Sequence, residues 1–219
     1  RAEREGDSGV RVGEHLDHDG MTALMYAAKD GWVEIVKYLV EVGGDEQIMA
    51  IDEECNTVLM HAIWQSENTI MIPRTRSGIW IWKDTDSRRA SNRMEIVRML
   101  VEKGGDALLR AKSNDGETAI FFAVRCGCLS LLEYLLQKGG DELLRARDNW
   151  GHTVLMVAAW KGNLEMCKYL VTTCDRDTLT SLNHDCYTAA SLALQRNHTE
   201  IKNLLVEAGI DLPKKPVQL

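Results

Sequence analysis

Only two of the 219 residues are Phe and three are Pro, and no apolar run approaches the roughly 20 residues that a membrane-spanning helix requires. The first residues, Arg1-Ala2-Glu3-Arg4-Glu5, lack the apolar stretch of a secretory signal, and an Arg in place of Met at position 1 fits a piece of a longer protein. Six cysteines are present, but Cys55, Cys126, Cys128, Cys167, Cys174 and Cys186 form no Cys-x-x-Cys pair and no zinc-like spacing. Reduced thiols of a cytoplasmic or nuclear protein are therefore expected. Net positive charge is missing too. At −7 the chain is a poor match for nucleic acid, whose binders neutralise phosphates. Enzymatic signatures are absent: there is no phosphate-cradling glycine loop, no Gly-x-Ser-x-Gly and no His-Glu-x-x-His. His15 and His18 flank Asp17 without a third ordered ligand, so neither a metal nor a cofactor is expected, and the chain reads as no enzyme. What is present is a composition of 45% hydrophobic and 27% charged residues, which folds, and an excess of Trp, six against the two Phe.

An internal repeat organises the rest. Gly20-Met21-Thr22-Ala23-Leu24-Met25-Tyr26-Ala27-Ala28 returns as Gly151-His152-Thr153-Val154-Leu155-Met156-Val157-Ala158-Ala159, with weaker copies at Thr57, Thr118 and Thr188. The five threonines are separated by 35, 61, 35 and 35 residues, so the second unit carries an insertion of 26 residues. Each Thr suits the entrance of a helix, and the small residues after it (Ala27 and Ala28, Ala62, Ala123, Ala158 and Ala159) let neighbouring helices approach closely. A second helix follows, with apolar positions at Ile35, Val36, Leu39 and Val40, then Ile96, Val97, Leu100 and Val101, then Leu131, Leu132, Leu135 and Leu136. Glycine pairs at Gly43-Gly44, Gly104-Gly105 and Gly139-Gly140 are expected to stop it in left-handed caps. No single helix pair closes a core, so the units must stack.

This pattern resembles the ankyrin repeat, whose signature runs Asp-x-x-Gly-x-Thr-Pro-Leu-His-x-Ala-Ala-x-x-Gly. The resemblance implies an all-α solenoid of stacked helix-turn-helix units with connecting loops. It sets residues 1–16 as a cap or the remnant of a preceding repeat, 17–211 as the repeat domain and 212–219 as a tail. Departures are specific. The signature Pro is replaced by Ala23, Val58, Ala119, Val154 and Ala189, and its His by Met25, Met60, Phe121, Met156 and Ser191, which removes the usual side-chain hydrogen bond. The period is 35 where the family has 33. The two extra residues fall in Glu46-Gln47-Ile48-Met49, Ala107-Leu108-Leu109-Arg110 and Glu142-Leu143-Leu144-Arg145, where an added helical turn should tuck an apolar pair against the stack. In the fifth unit Asn197, His198 and Asn203 bring polarity, as a terminal cap requires.

The resemblance also implies a non-catalytic module that binds a protein or peptide on a concave face of loop tips and first helices. By register that face comprises Asp19, Met21, Glu53, Glu54, Trp64, Asp115, Glu117, Arg125, Trp150, His152, Trp160, Lys161 and Tyr187. Acidic residues crowd the tips of the first three units, and Trp64, Trp150, Trp160 and Tyr187 place large rings on the face, which points to a basic partner, with the stack itself monomeric and bound to neither nucleic acid nor membrane. Exposed rings carry a large share of interface energy. The competing reading is that Trp64 and Trp160 merely cover the alanine-rich interior. Two other functions stay open: the targeting region of a larger kinase or ubiquitin ligase, and an aromatic reader of methylated lysine. The insertion, about residues 66–91, carries +2 and leaves −9 to the rest of the chain. Arg76, Trp80 and Trp82 are its candidate contacts, and the alternation Ile79-Trp80-Ile81-Trp82 suits an extended edge. Arg88-Arg89-Ala90-Ser91 resembles a basophilic kinase site.

Overall fold

The computed structural model describes residues 16–64, 70–73, 80–83, 87–210 and 212, with the backbone alone for those between 70 and 90. The helix pairs follow in register: α1 (Ala23–Asp30) and α2 (Val33–Ile48), α3 (Val58–Ile63) and α4 (Ser87–Arg110), α5 (Ala119–Cys126) and α6 (Leu129–Gly139). Next come α7 (Val154–Lys161) and α8 (Leu164–Thr173), the short α9 (Arg176–Leu179), and finally α10 (Ala189–Gln195) with α11 (Thr199–Glu207). First helices pack on first helices, α1 on α3, α3 on α5, α5 on α7 and α7 on α10, and second helices likewise, α2 on α4 and α4 on α6. The all-α solenoid of stacked helix pairs expected from the repeat is what forms.

Threonine starts the first helices for a local reason. Thr22, Thr57 and Thr153 are extended, and their hydroxyls accept the backbone N–H three residues on at 3.2, 3.4 and 3.4 Å. The replacement of His by Met does not leave the cap unanswered: the sulfurs of Met25, Met60 and Met156 each accept the Thr backbone N–H at 3.5 Å, a weak bond that closes the reciprocal capping box. Phe121 cannot reply, and the Thr118 hydroxyl is buried without a partner.

Helix ends differ from expectation in an instructive way. Left-handed caps occur after the first helices, at Gly31, Gly127 and Gly162 (ψ 28°, 18° and 21°), and Asn197 takes the same role at φ 61°. The glycine pairs do something else. Gly44, Gly105 and Gly140 combine positive φ with ψ of −159°, −149° and 172°, a mirror-extended conformation essentially closed to other residues. They bend the chain into the added turn, which is present as the last segments of α2 and α4 and as a 3₁₀ turn at Asp141–Arg145; the fourth unit forms α9 at this place without a glycine pair. Ile48, Leu108, Leu109, Leu143, Leu144 and Leu179 on these turns are buried.

Successive residues of one helix pair serve opposite neighbours. In the third unit Phe122, Leu131 and Leu135 belong to the core shared with units one and two, whereas Phe121, Val124, Leu132 and Leu136 belong to that shared with units four and five. Within the insertion, strands β1 (Ile70–Pro73) and β2 (Trp80–Lys83) pair antiparallel, Ile70 with Lys83 and Pro73 with Trp80. Its last residues, Ser87 to Ser91, are helical and run on into α4. None of the six cysteines is in a disulfide. No helix among the described residues is long and apolar enough to cross a membrane, and none of their His, Cys, Asp and Glu residues group as metal ligands do.

Candidate protein-binding groove

Loop tips form one wall of a groove, and backbone hydrogen bonds hold them in a row. Glu53 N–H donates to Asp19 O at 3.1 Å, Asn114 N–H to Glu54 O at 2.8 Å, Asn149 N–H to Asp115 O and His184 N–H to Trp150 O, both at 2.9 Å. Asn114 and Asn149 reinforce the row, donating from Nδ2 to Glu53 O at 3.0 Å and Asn114 O at 2.6 Å. Within each tip an Asx side chain organises the turn: Asp52 Oδ1 accepts from the Asn56 and Glu54 backbones at 2.7 and 2.9 Å, and Asp148 Oδ1 accepts from His152 and Trp150 at 2.7 and 3.0 Å. Such a wall is rigid enough to present side chains in fixed places.

Two hollows lie along it. One of about 660 Å³ spans units one to three and is lined by Asp19, Glu53, Glu54, Asp115, Trp64 and Arg125 among others. A second of about 510 Å³ spans units three to five, lined by Trp150, Trp160, Lys161, Tyr187, Asp185 and again Arg125. Arg125 lines both, so the two are successive stretches of one groove, acidic first and aromatic next.

The register-based candidates do not all reach the surface. Met21 and Glu117 are buried, at 7% and 2% exposure, each just ahead of the Thr at the entrance of a first helix. Met21 joins the core, and Glu117 lies on the groove floor in an ion pair with Arg125. Burial pushes the Glu117 carboxyl above its ordinary value, Arg125 opposing and the nearby Asp148 and Asp115 adding to the rise. His152 is half-buried: its Nδ1 bonds Asp148 at 2.8 Å and its Nε2 meets Asn183 at 3.1 Å, tying unit four to unit five. Burial works against the charge on Asp148, yet the hydrogen bonds from His152 outweigh it and hold the carboxyl below its usual range.

Asp19, Glu53, Glu54 and Asp115 are exposed, and no ion pair engages them among the described residues. Trp64, Trp150 and Trp160 stay 42%, 48% and 37% exposed. Trp64 meets Phe122 edge to face at 5.5 Å, and Arg196 lies 4.5 Å over the Trp160 ring, so both rings are half covered by their own chain. Lys161 is exposed and Tyr187 half-buried at the groove. Arg76 lies outside the described residues; Trp80 and Trp82 sit on β2, whose backbone alone is described. Position-based reading missed Phe122 and His61. Phe122 supports Trp64, and His61 Nε2 lies 2.8 Å from Asp52 Oδ2.

A stack of paired helices whose loop tips line a concave groove defines a repeat protein of the interaction class. Family profiles agree: ankyrin repeats (3 copies) match residues 8–72 and 141–215, and ankyrin repeats (many copies) match residues 86–136. The chain belongs to the ankyrin-repeat family. Repeats of this family are generally protein–protein interaction modules and typically non-catalytic. A search of curated proteins returns no match.

Proposed function

We propose that this chain binds an extended peptide segment of another protein, basic where it crosses units one to three and apolar or aromatic where it crosses units four and five. The observation that carries the reading is the division of one groove: unpaired carboxylates at Asp19, Glu53, Glu54 and Asp115 on one side of Arg125, and Trp150, Trp160 and Tyr187 on the other. Complementary charge steers encounter and sets register, while buried rings supply most of the affinity. A methylated lysine is less well served. The Trp160 face such a cation would need already carries Arg196. The same groove would serve equally as the targeting region of a larger enzyme.

Display selection of random dodecapeptides on the purified chain tests this. Enrichment of Lys or Arg at one end and of Leu, Phe or Trp at the other is expected. Trp150→Ala should weaken the winning peptide about 30-fold, the equivalent of about 2 kcal/mol, without moving thermal stability. Glu53→Lys with Asp115→Lys should slow association and flatten its salt dependence. Enrichment of acidic peptides, or of none, sinks the reading.

A further inference from the structure

The repeat register allows each side chain to be compared with its counterparts, and one face breaks the pattern. Ala23 is exposed, whereas Val58, Ala119, Val154 and Ala189 at the same position are all buried. Ile35 is 46% exposed against 0%, 1%, 0% and 2% for Ile96, Leu131, Met166 and Ile201. Tyr38 is 58% exposed, while Met99, Tyr134, Tyr169 and Leu204 are half-buried against the core. In units two to five these positions face the unit before, so in unit one they mark a stacking surface with nothing described upon it. The opposite end is built differently. Val36, Val97, Leu132 and Cys167 are fully buried facing the unit after, but the fifth unit puts a half-exposed Lys202 there, although Leu194 and Val206 remain exposed beside it.

A second observation is independent of burial. Between units, the chain passes through a turn whose Asx side chain accepts two backbone N–H groups, as at Asp52, Asp148 and Asn183. The same turn stands ahead of α1: Asp17 Oδ1 accepts from Asp19 and Met21 at 3.0 and 2.8 Å. A connector between repeats is thus already formed on the side where the stacking surface is open. The family match agrees, beginning at residue 8 rather than at Asp17.

We propose that the face of Ala23, Ile35 and Tyr38 seats one further ankyrin repeat, contributed by the same polypeptide on the N-terminal side of Asp17. Its second helix would bring a Val- or Leu-type stripe, as Val36 and Val40 do for the second unit, and its loop tip would lengthen the acidic half of the groove. The inference rests on the repeat register and not on what the groove binds.

A graft tests it. A copy of residues 148–182, one whole repeat period, is inserted in register between Leu16 and Asp17 of the full chain. The melting temperature should rise by about 5 °C, since a seated repeat adds one interface to a one-dimensional stack. Ile35→Lys should leave the ungrafted chain's melting temperature unchanged and abolish the gain in the grafted one, whereas Ile96→Lys should destabilise both. Three results would overturn the proposal: no gain on grafting; an ungrafted Ile35→Lys as damaging as Ile96→Lys, which would mean the chain already covers this face itself; or a dimer by sedimentation that Ile35→Lys dissociates, which would make a second copy the occupant.

Discussion

Replacing Arg125 by Met should destabilise the protein, and by an amount that grows with pH. Glu117 is the reason. Its side chain is 2% exposed, that of its partner Arg125 33% exposed, and burial holds the carboxyl above its ordinary value even with the guanidinium in place. Removing one partner of a fully buried pair costs about 3–5 kcal/mol. Because a third of the Arg125 side chain reaches water, its solvation is only partly lost on folding, and about 2–3 kcal/mol is the fitting figure at pH 7.5. The sign follows from linkage. A carboxyl whose folded pKa lies above its unfolded one binds more protons when folded, so the stability it lends is complete below the unfolded value and disappears as pH rises through the folded one. Without Arg125 the folded value climbs further, and the window of loss widens toward neutrality.

Urea denaturation of the parent and of Arg125→Met at pH 5 and 7.5 reads this directly. The deficit should be smaller at pH 5, nearer to protonation of the raised carboxyl, at about 1 kcal/mol from lost packing, against about 2–3 kcal/mol at pH 7.5. Titrating groups remote from Arg125 and Glu117 are common to both proteins and cancel in the difference. Adding Glu117→Gln to Arg125→Met removes the titrating group and should remove the pH dependence of the deficit. An equal deficit at the two pH values would refute the reasoning, since it would show that Glu117 does not need its cation.

Two further expectations follow from backbone and cap. Cys55 and Cys186 hold φ of 58° and 61° at the turn position that Gly20, Gly116 and Gly151 fill in the other units, so Cys55→Gly and Cys186→Gly should each stabilise by about 0.5 kcal/mol, the relief of strain less the entropy glycine adds to the unfolded chain; a loss in either melt would contradict this. Thr22→Val, Thr57→Val and Thr153→Val should each cost about 1 kcal/mol by removing a cap, whereas Thr118→Val, which deletes a hydroxyl without a partner, should be neutral or stabilising by thermal melt.

The stack was legible because its signal repeats. A single Thr followed by alanines says little, but the same word at a fixed spacing leaves helix pairs and their stacking as the one way to bury the stripe that includes Val36, Val97 and Leu132. Spacing alone could not say what the glycine pairs do. A Gly-Gly at a helix end fits a left-handed cap as well as the mirror-extended bend that Gly44, Gly105 and Gly140 adopt. Only the apolar pair just beyond, Leu108-Leu109 and Leu143-Leu144, shows that the chain must turn back toward the core rather than leave it. The hairpin of the insertion has no counterpart in the other units, and its pairing of Ile70 with Lys83 had no register to be read against.

The groove divides along the same line. Residues placed by the backbone alone, the tips Asp19, Glu53, Asp115 and Trp150, stand where the repeat puts them. Residues whose place depends on a neighbour do not: Glu117 is the counterpart of Met21, Asn56, His152 and Tyr187, and only Arg125, eight residues on, allows a carboxylate to lie buried there. That pairing is also what makes one groove of two hollows. The guanidinium that covers and neutralises Glu117 is the group both halves share, so the acidic and aromatic stretches meet at the cation that one buried carboxylate demands. A variant that relieves that demand, such as Glu117→Gln, frees Arg125 to pair with the exposed Asp115 instead, and would weaken the acidic half without touching any residue a partner contacts.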